Sequence, residues 1–191
     1  AHYGVALDGD ADRLQLVDGN GRLYNGDELL YLMADDRLGR DEHVPGVVGT
    51  LMTNMAVELA LRAKGVEVVR AKVGDRYVLE HMRNKGFNVG GEQSGHVVLS
   101  DFSTTGDGLL AALQVLAVMV ETGKRLSEVA HVFDPAPQKL VNRKYSGADP
   151  LSKKSVQDAI AAAEKLLGTR GRLLVRKSGT EPLIRVMAQA E

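Results

Sequence analysis

Residues 44–69, VPGVVGTLMTNMAVELALRAKGVEVV, read as strand, helix and strand in one short stretch. Val44 to Gly49 is a β run closed by glycine. Asn54 has the side chain of a helix N-cap, the helix runs through Leu59 to Lys64, and Gly65 supplies its stop. Val66 to Val69 resumes the β pattern. Strands joined through a helix build parallel sheets, so this stretch sets the fold as α/β.

The same alternation continues on both sides. Asp27 to Leu38 has helical spacing, with Leu29, Leu30, Leu32, Met33 and Leu38 apolar. Asp75 is expected to cap a helix that finishes at Gly86. Phe87 to Val89 and His96 to Leu99 read as strands around a polar loop, and Asp107 to Glu121 as a buried helix. Met33, Met52, Met55 and Met119 are expected to pack within the interior. Past Phe133 the texture changes: Asp134-Pro135-Ala136-Pro137 reads as a linker, since its prolines offer no backbone donors. A strand (Gln138 to Val141), a helix (Ser152 to Leu167) and two strands (Gly171 to Arg176, Leu183 to Ala188) follow. The expected fold is therefore a mixed, mainly parallel sheet layered with helices, plus a smaller α+β C-terminal domain.

Composition narrows the function. The 191 residues carry 24 basic against 25 acidic side chains and only 4% aromatics, which argues against a nucleic-acid or membrane-surface binder. Cysteine is absent, so disulfides and thiolate metal sites are excluded. The longest apolar run, Leu109 to Val120, is interrupted by Gln114 and is too short to cross a bilayer. The N-terminus lacks signal-peptide character. The expectation is a soluble, cytoplasmic protein.

Three motifs could carry chemistry. Asp8-Gly9-Asp10-Ala11-Asp12-Arg13 places carboxylates at alternate positions after the apolar Val5-Ala6-Leu7. Gly9 is expected to allow the bend that gathers the three oxygens. A calcium loop of EF-hand type fails here, because Arg13 stands where its glycine is required and Gly19 where its closing glutamate belongs. A hard cation such as Mg²⁺ suits these ligands, and a solvated Asp-Gly turn is the alternative. Gly90-Gly91-Glu92-Gln93-Ser94-Gly95-His96 offers an acceptor, a hydroxyl and a titratable ring, a mixture that recognises sugar hydroxyls; alone it reads more readily as a polar connection with a structural histidine. Arg176-Lys177-Ser178-Gly179-Thr180-Glu181-Pro182 combines hydroxyls, glycine and cations as an anion nest. Arg185 follows in an otherwise apolar strand, where a cation needs an anion or an exit to solvent. Asp75 and Arg76 form either a plain helix start or a ligand contact.

These motifs, in this order, resemble those of the α-D-phosphohexomutase superfamily, and Gln93 with Asp75-Arg76-Tyr77 favours its glucosamine branch. The resemblance runs over the whole chain. It implies that Asp8, Asp10 and Asp12 hold Mg²⁺ and that Arg13 takes part in catalysis beside the phosphoserine. It implies further that Glu92, Ser94 and His96 bind the sugar, and that Arg176, Ser178, Gly179, Thr180 and Arg185 bind phosphate. Asp75 and Arg76 are additional candidates.

By the same resemblance, residues 1–22 are the tail of a second domain carrying the metal loop, 23–134 a sugar-binding domain, and 135–191 a truncated phosphate-binding domain. The domain bearing the phosphoserine is expected to lie outside the chain, which alone is then expected to be inactive. The implied reaction converts glucosamine 6-phosphate to glucosamine 1-phosphate through a bisphosphate intermediate, supplying UDP-N-acetylglucosamine synthesis. A hexosamine phosphate is the expected partner, with no nucleic acid or membrane, and a homodimer is left open. A phosphomannomutase or phosphoglucomutase, and a non-catalytic phosphosugar-binding module, are the alternatives.

Overall fold

A computed structural model describes residues 2–131, 133–179 and 181–190. It begins with an antiparallel sheet in which β1 (Tyr3–Leu7) pairs with β2 (Leu14–Asp18), and β2 with β3 (Leu23–Tyr24). Asp18 fixes the second turn: its carboxylate accepts from the Asn20 and Arg22 amides and from the Tyr24 hydroxyl. The β2–β3 hairpin escapes the sequence reading because its second strand is only two residues long.

Helix α1 (Gly26–Gly39) follows, its start closed by a reciprocal box between Asn25 and Glu28. The deciding stretch then forms β4 (Gly46–Thr50), α2 (Met55–Ala63) with Asn54 as its cap, and β5 (Glu67–Ala71). Next come α3 (Asp75–Lys85), β6 (Val89–Gly91), β7 (Val97–Leu99), α4 (Gly108–Thr122) and the short α5 (Leu126–Val129). The second sheet has the order β5-β4-β6-β7, parallel except for β7. Both its faces are covered. Val47, Val89 and Val97 join α1, α2 and α4 in the larger core, while Val48, Ala71 and Val98 meet Val78 and Met82 of α3. Cover on both faces is why the central strand β4 is buried along its whole length rather than alternating.

Three expectations change. The N-cap of α3 is Gly74, at φ +127°, with Asp75 inside the first turn. The strand expected at Phe87 to Val89 lies later, so Gly90 and Gly91 belong to β6. Contact explains their small size, because a Cβ on Gly90 would meet Met82 Sδ at 2.5 Å and one on Gly91 would meet the His96 carbonyl at 2.3 Å. Finally, α4 is buried on one side only: Ala111, Ala112, Val115 and Val118 are inside, while Leu109, Leu113 and Val120 are exposed. An all-apolar helix gives no periodic clue to which side faces inward.

The chain divides into two units, Ala1–Asp134 and Pro135–Glu191. In the second, β8 (Gln138–Lys144), β9 (Gly171–Lys177) and β10 (Leu183–Ala190) form an antiparallel sheet with β10 central. Helix α6 (Lys154–Leu167) starts later than expected, since Asp149 caps a 3-10 turn at Pro150–Ser152 first. The fold is α/β with an α+β second unit, as the sequence indicates.

Leu30 is fully buried and Leu113 is 55% exposed. Leu30→Ala should therefore destabilise the first unit by about 2–5 kcal/mol in urea unfolding, and Leu113→Ala by under about 1 kcal/mol.

Candidate functional site

The loop after β1 gathers its acidic side chains. One carboxylate oxygen each from Asp8, Asp10 and Asp12 lies within 4.8 Å of the others, the only such cluster among the described residues. The left-handed residue of the bend is Ala11, at φ +59°, and not Gly9. That strained position is held from both sides: the Ala11 amide donates to the Asp8 carbonyl, and its carbonyl accepts from Gly108 at the start of α4. The Arg13 Nε stands 3.8 Å from Asp8 Oδ2 and 3.7 Å from Asp12 Oδ1, and the Arg13 amide donates to Asp8 Oδ1.

The glycine-rich loop lies directly against this one. The Leu14 amide donates to the Gly95 carbonyl at 3.0 Å, and Arg13 and His96 form a backbone bridge. The His96 ring is 2% exposed, with Nδ1 3.0 Å from Asp12 Oδ2, and it packs on the bare backbone of Gly106. His96 thus meets the acidic loop. Ser94 is exposed and Glu92 half-buried, and both line an open cavity of about 390 Å³ with Arg13 and Gln93. Glu92 Oε1 accepts from the Gly74 amide at 2.8 Å, so a carboxylate from the glycine-rich loop caps α3. This bond brings Asp75 and Arg76, both exposed, beside the glycine-rich loop.

The sequence reading misses the rest of the wall: Thr50, Met52 and Val73 also line the cavity. Met52 sits in the β4–α2 loop and not in a packed helix. The rule that could have found them is topological, since sites in open α/β sheets collect outside the carboxyl ends of parallel strands. It also misses Asp27, 1% exposed, whose Oδ2 accepts from the Asn54 amide at 2.9 Å and from Gln93 Nε2 at 2.8 Å. Burial raises the Asp27 carboxyl to about 6, opposed by those hydrogen bonds and by the charge of Arg70.

In the second unit, Arg185 of β10 stands in register with Arg176 of β9 on one side and Asn142 of β8 on the other. Neither guanidinium is ion-paired to a carboxylate among the described residues, and the Nε of each is buried without a hydrogen-bond partner. Burial, and then the charge of Arg185, lower the Arg176 guanidinium from its ordinary value. Ser178 closes the turn through its amide on the Leu183 carbonyl, and Gly179 is open to its surroundings. Thr180 lies outside the described residues.

Residues 25–135 match the family model for phosphoglucomutase/phosphomannomutase, alpha/beta/alpha domain III. The chain belongs to the phosphoglucomutase/phosphomannomutase family. Residues 140–191 match the C-terminal domain of the same family. Among its members, the chain is 62% identical over 190 residues to a phosphoglucosamine mutase from Paracidovorax citrulli, covering 99% of the chain and 43% of that protein. It is 61% identical to another from Albidiferax ferrireducens, again across 43% of its length. The chain thus spans less than half of these curated relatives. A phosphoglucomutase/phosphomannomutase family protein from Burkholderia thailandensis shares the fold at a TM-score of 0.82 and 24% identity, over 100% of this chain and 43% of that one. So does an Aspergillus fumigatus N-acetylphosphoglucosamine mutase solved with GlcNAc-6P and magnesium, at a TM-score of 0.78 and 23% identity, over 97% of this chain and 48% of that one.

Asp27 makes stability depend on pH. Unfolded, its carboxyl titrates near 3.8; folded, near 6. Between these values the folded chain keeps a proton that the unfolded chain has lost. The contribution is present below pH 3.8 and is lost as pH rises to about 6, amounting to roughly 3 kcal/mol. Urea unfolding from pH 4 to 7 should show this decline in the wild type and not in Asp27→Asn; parallel profiles would contradict it.

Proposed function

We propose that the whole protein interconverts glucosamine 6-phosphate and glucosamine 1-phosphate, with this chain supplying its metal-binding, sugar-binding and phosphate-binding residues. The observation that carries the reading is the join of the acidic and glycine-rich loops, Asp12 against His96 at 3.0 Å, beside an open cavity lined by Arg13, Glu92 and Ser94. The phosphoglucosamine mutase relatives at about 60% identity support the choice of substrate.

The acidic loop suits Mg²⁺. Its donors are hard oxygens, three of them converge, and Asp12 Oδ1 is buried with no hydrogen-bond partner among the described residues. Bound there by Asp8, Asp10 and Asp12, Mg²⁺ would neutralise charge on the phosphoryl group in transfer. Arg13 adds positive charge at the same edge of the cavity. By family resemblance the phosphoryl donor is a phosphoserine elsewhere in the whole protein, and the reaction passes through a bisphosphate.

Glu92 and Ser94 bind sugar hydroxyls in this reading. Glu92 has one oxygen committed to Gly74, which fixes the direction of the other. His96 is buried on Asp12, so we assign it to holding that carboxylate and not to the sugar. Arg176, Ser178, Gly179, Thr180 and Arg185 take the non-reacting phosphate. The support is electrostatic: two guanidiniums in cross-strand register, without a carboxylate partner among the described residues, are stabilised by an anion between them. Asp75 and Arg76 then face the substrate from the start of α3.

Coupled assays of the whole protein with glucosamine, glucose and mannose 6-phosphates test the substrate; a preference for glucosamine below tenfold would refute it. Asp10→Asn should abolish turnover in Mg²⁺ without unfolding the protein. Arg185→Ala should weaken substrate binding by about 1.5–3 kcal/mol, read as a raised KM, and an unchanged KM would remove the phosphate role.

A further inference from the structure

Asp27 is a buried carboxylate of α1 that links two separate pieces of the cavity wall. It stands in the first turn of α1, where the helix dipole favours an anion. Its Oδ2 accepts from Gln93 of the glycine-rich loop and from the backbone of Asn54, which begins α2 and ends the loop carrying Thr50 and Met52. Around it the contacts leave little room for adjustment. The Gly26 amide donates to the Gln93 carbonyl, and a Cβ on Gly26 would lie 1.9 Å from the Glu92 carbonyl oxygen, so α1 presses directly on the loop. On the far side of the Thr50–Asn54 loop, Arg70 donates to the carbonyls of Thr50 and Thr53 and pairs with Glu58. The Gln93 side-chain amide, at the edge of the cavity, is therefore tied to the scaffold. The neighbouring Glu92 and Ser94 are left to face the cavity.

The geometry points to Asp27 as the positioning residue of the sugar loop, acting through Gln93 and Asn54 to hold Glu92 and Ser94 opposite Met52. The inference rests on the sugar-binding reading of that loop. A neutral amide would fill the same space and avoid the desolvation of a buried charge, so a purely structural role gives no reason for a carboxylate here. A charged acceptor bonded to two donors restrains them more firmly than a neutral one. The substitution most compatible with packing, Asp27→Asn, thus separates placement from stability.

The test is a double-mutant cycle in the whole protein between Asp27→Asn and Gln93→Glu. Gln93→Glu sets two carboxylates against each other and should raise KM for the hexosamine phosphate at least tenfold, with a smaller change in kcat. Asp27→Asn alone should raise KM several-fold while leaving the melting temperature unchanged or higher. The combined variant restores one donor and one acceptor with the roles reversed, and should recover KM to within a few-fold of wild type. Effects of the two changes that simply multiply, or an unchanged KM in Asp27→Asn, would overturn the proposal. If the wild type itself shows no mutase turnover, the function reading fails separately. Hydrogen exchange then decides the positioning role: the Glu92 and Gly95 amides should exchange at least tenfold faster in Asp27→Asn, and unchanged rates would overturn it.

Discussion

The join between the acidic loop and the glycine-rich loop organises the first unit. One backbone bond, Leu14 to Gly95, and one side-chain contact, Asp12 to His96, hold together segments more than eighty residues apart in sequence. The rest of the arrangement serves that contact. Gly106 has no side chain because the His96 ring occupies its space, and Gly108 is bare where the Ala11 and Arg13 carbonyls approach. The left-handed Ala11 is tolerated because the start of α4 anchors its carbonyl. Gly106 and Gly108 are thus glycines by close contact and not by conformational freedom.

The buried polar residues obey a related logic. Asp27 and Arg70 flank the Thr50–Asn54 loop with opposite charges, and each is hydrogen-bonded to backbone groups of that loop. This places charged hydrogen-bonding groups beneath the cavity and leaves the surrounding core apolar. Burial of Asp27 lowers stability above its raised pKa, an outcome expected where placement of a site takes precedence over the stability of the fold.

Much of the fold is legible in the sequence, for reasons that can be located. The β4–α2–β5 stretch is unambiguous because Asn54 and Gly65 punctuate it and because β4, buried on both faces, reads as a continuous run. Where local pattern is silent, the reading slips. Little in the run from Leu109 to Val120, apolar but for Gln114, distinguishes the buried side of α4, and the two-residue β3 falls below the length at which alternation can be seen. The candidate site divides similarly. Asp8, Asp10 and Asp12 stand out by spacing, and Arg185 by its misfit in an apolar strand. Met52 and Asp27 do not, since one resembles a packing residue and the other an ordinary first-turn acid. Their roles exist only in three dimensions, at the carboxyl ends of parallel strands.

The direct measurement is a diffraction experiment on crystals of the whole protein soaked with Mn²⁺ and glucosamine 6-phosphate, using the anomalous signal to place the metal. The account predicts one Mn²⁺ peak bonded by Asp8, Asp10 and Asp12, with sugar hydroxyls on Glu92 and Ser94. A metal bound away from those three carboxylates, or a sugar phosphate that leaves Glu92 and Ser94 untouched, would contradict it.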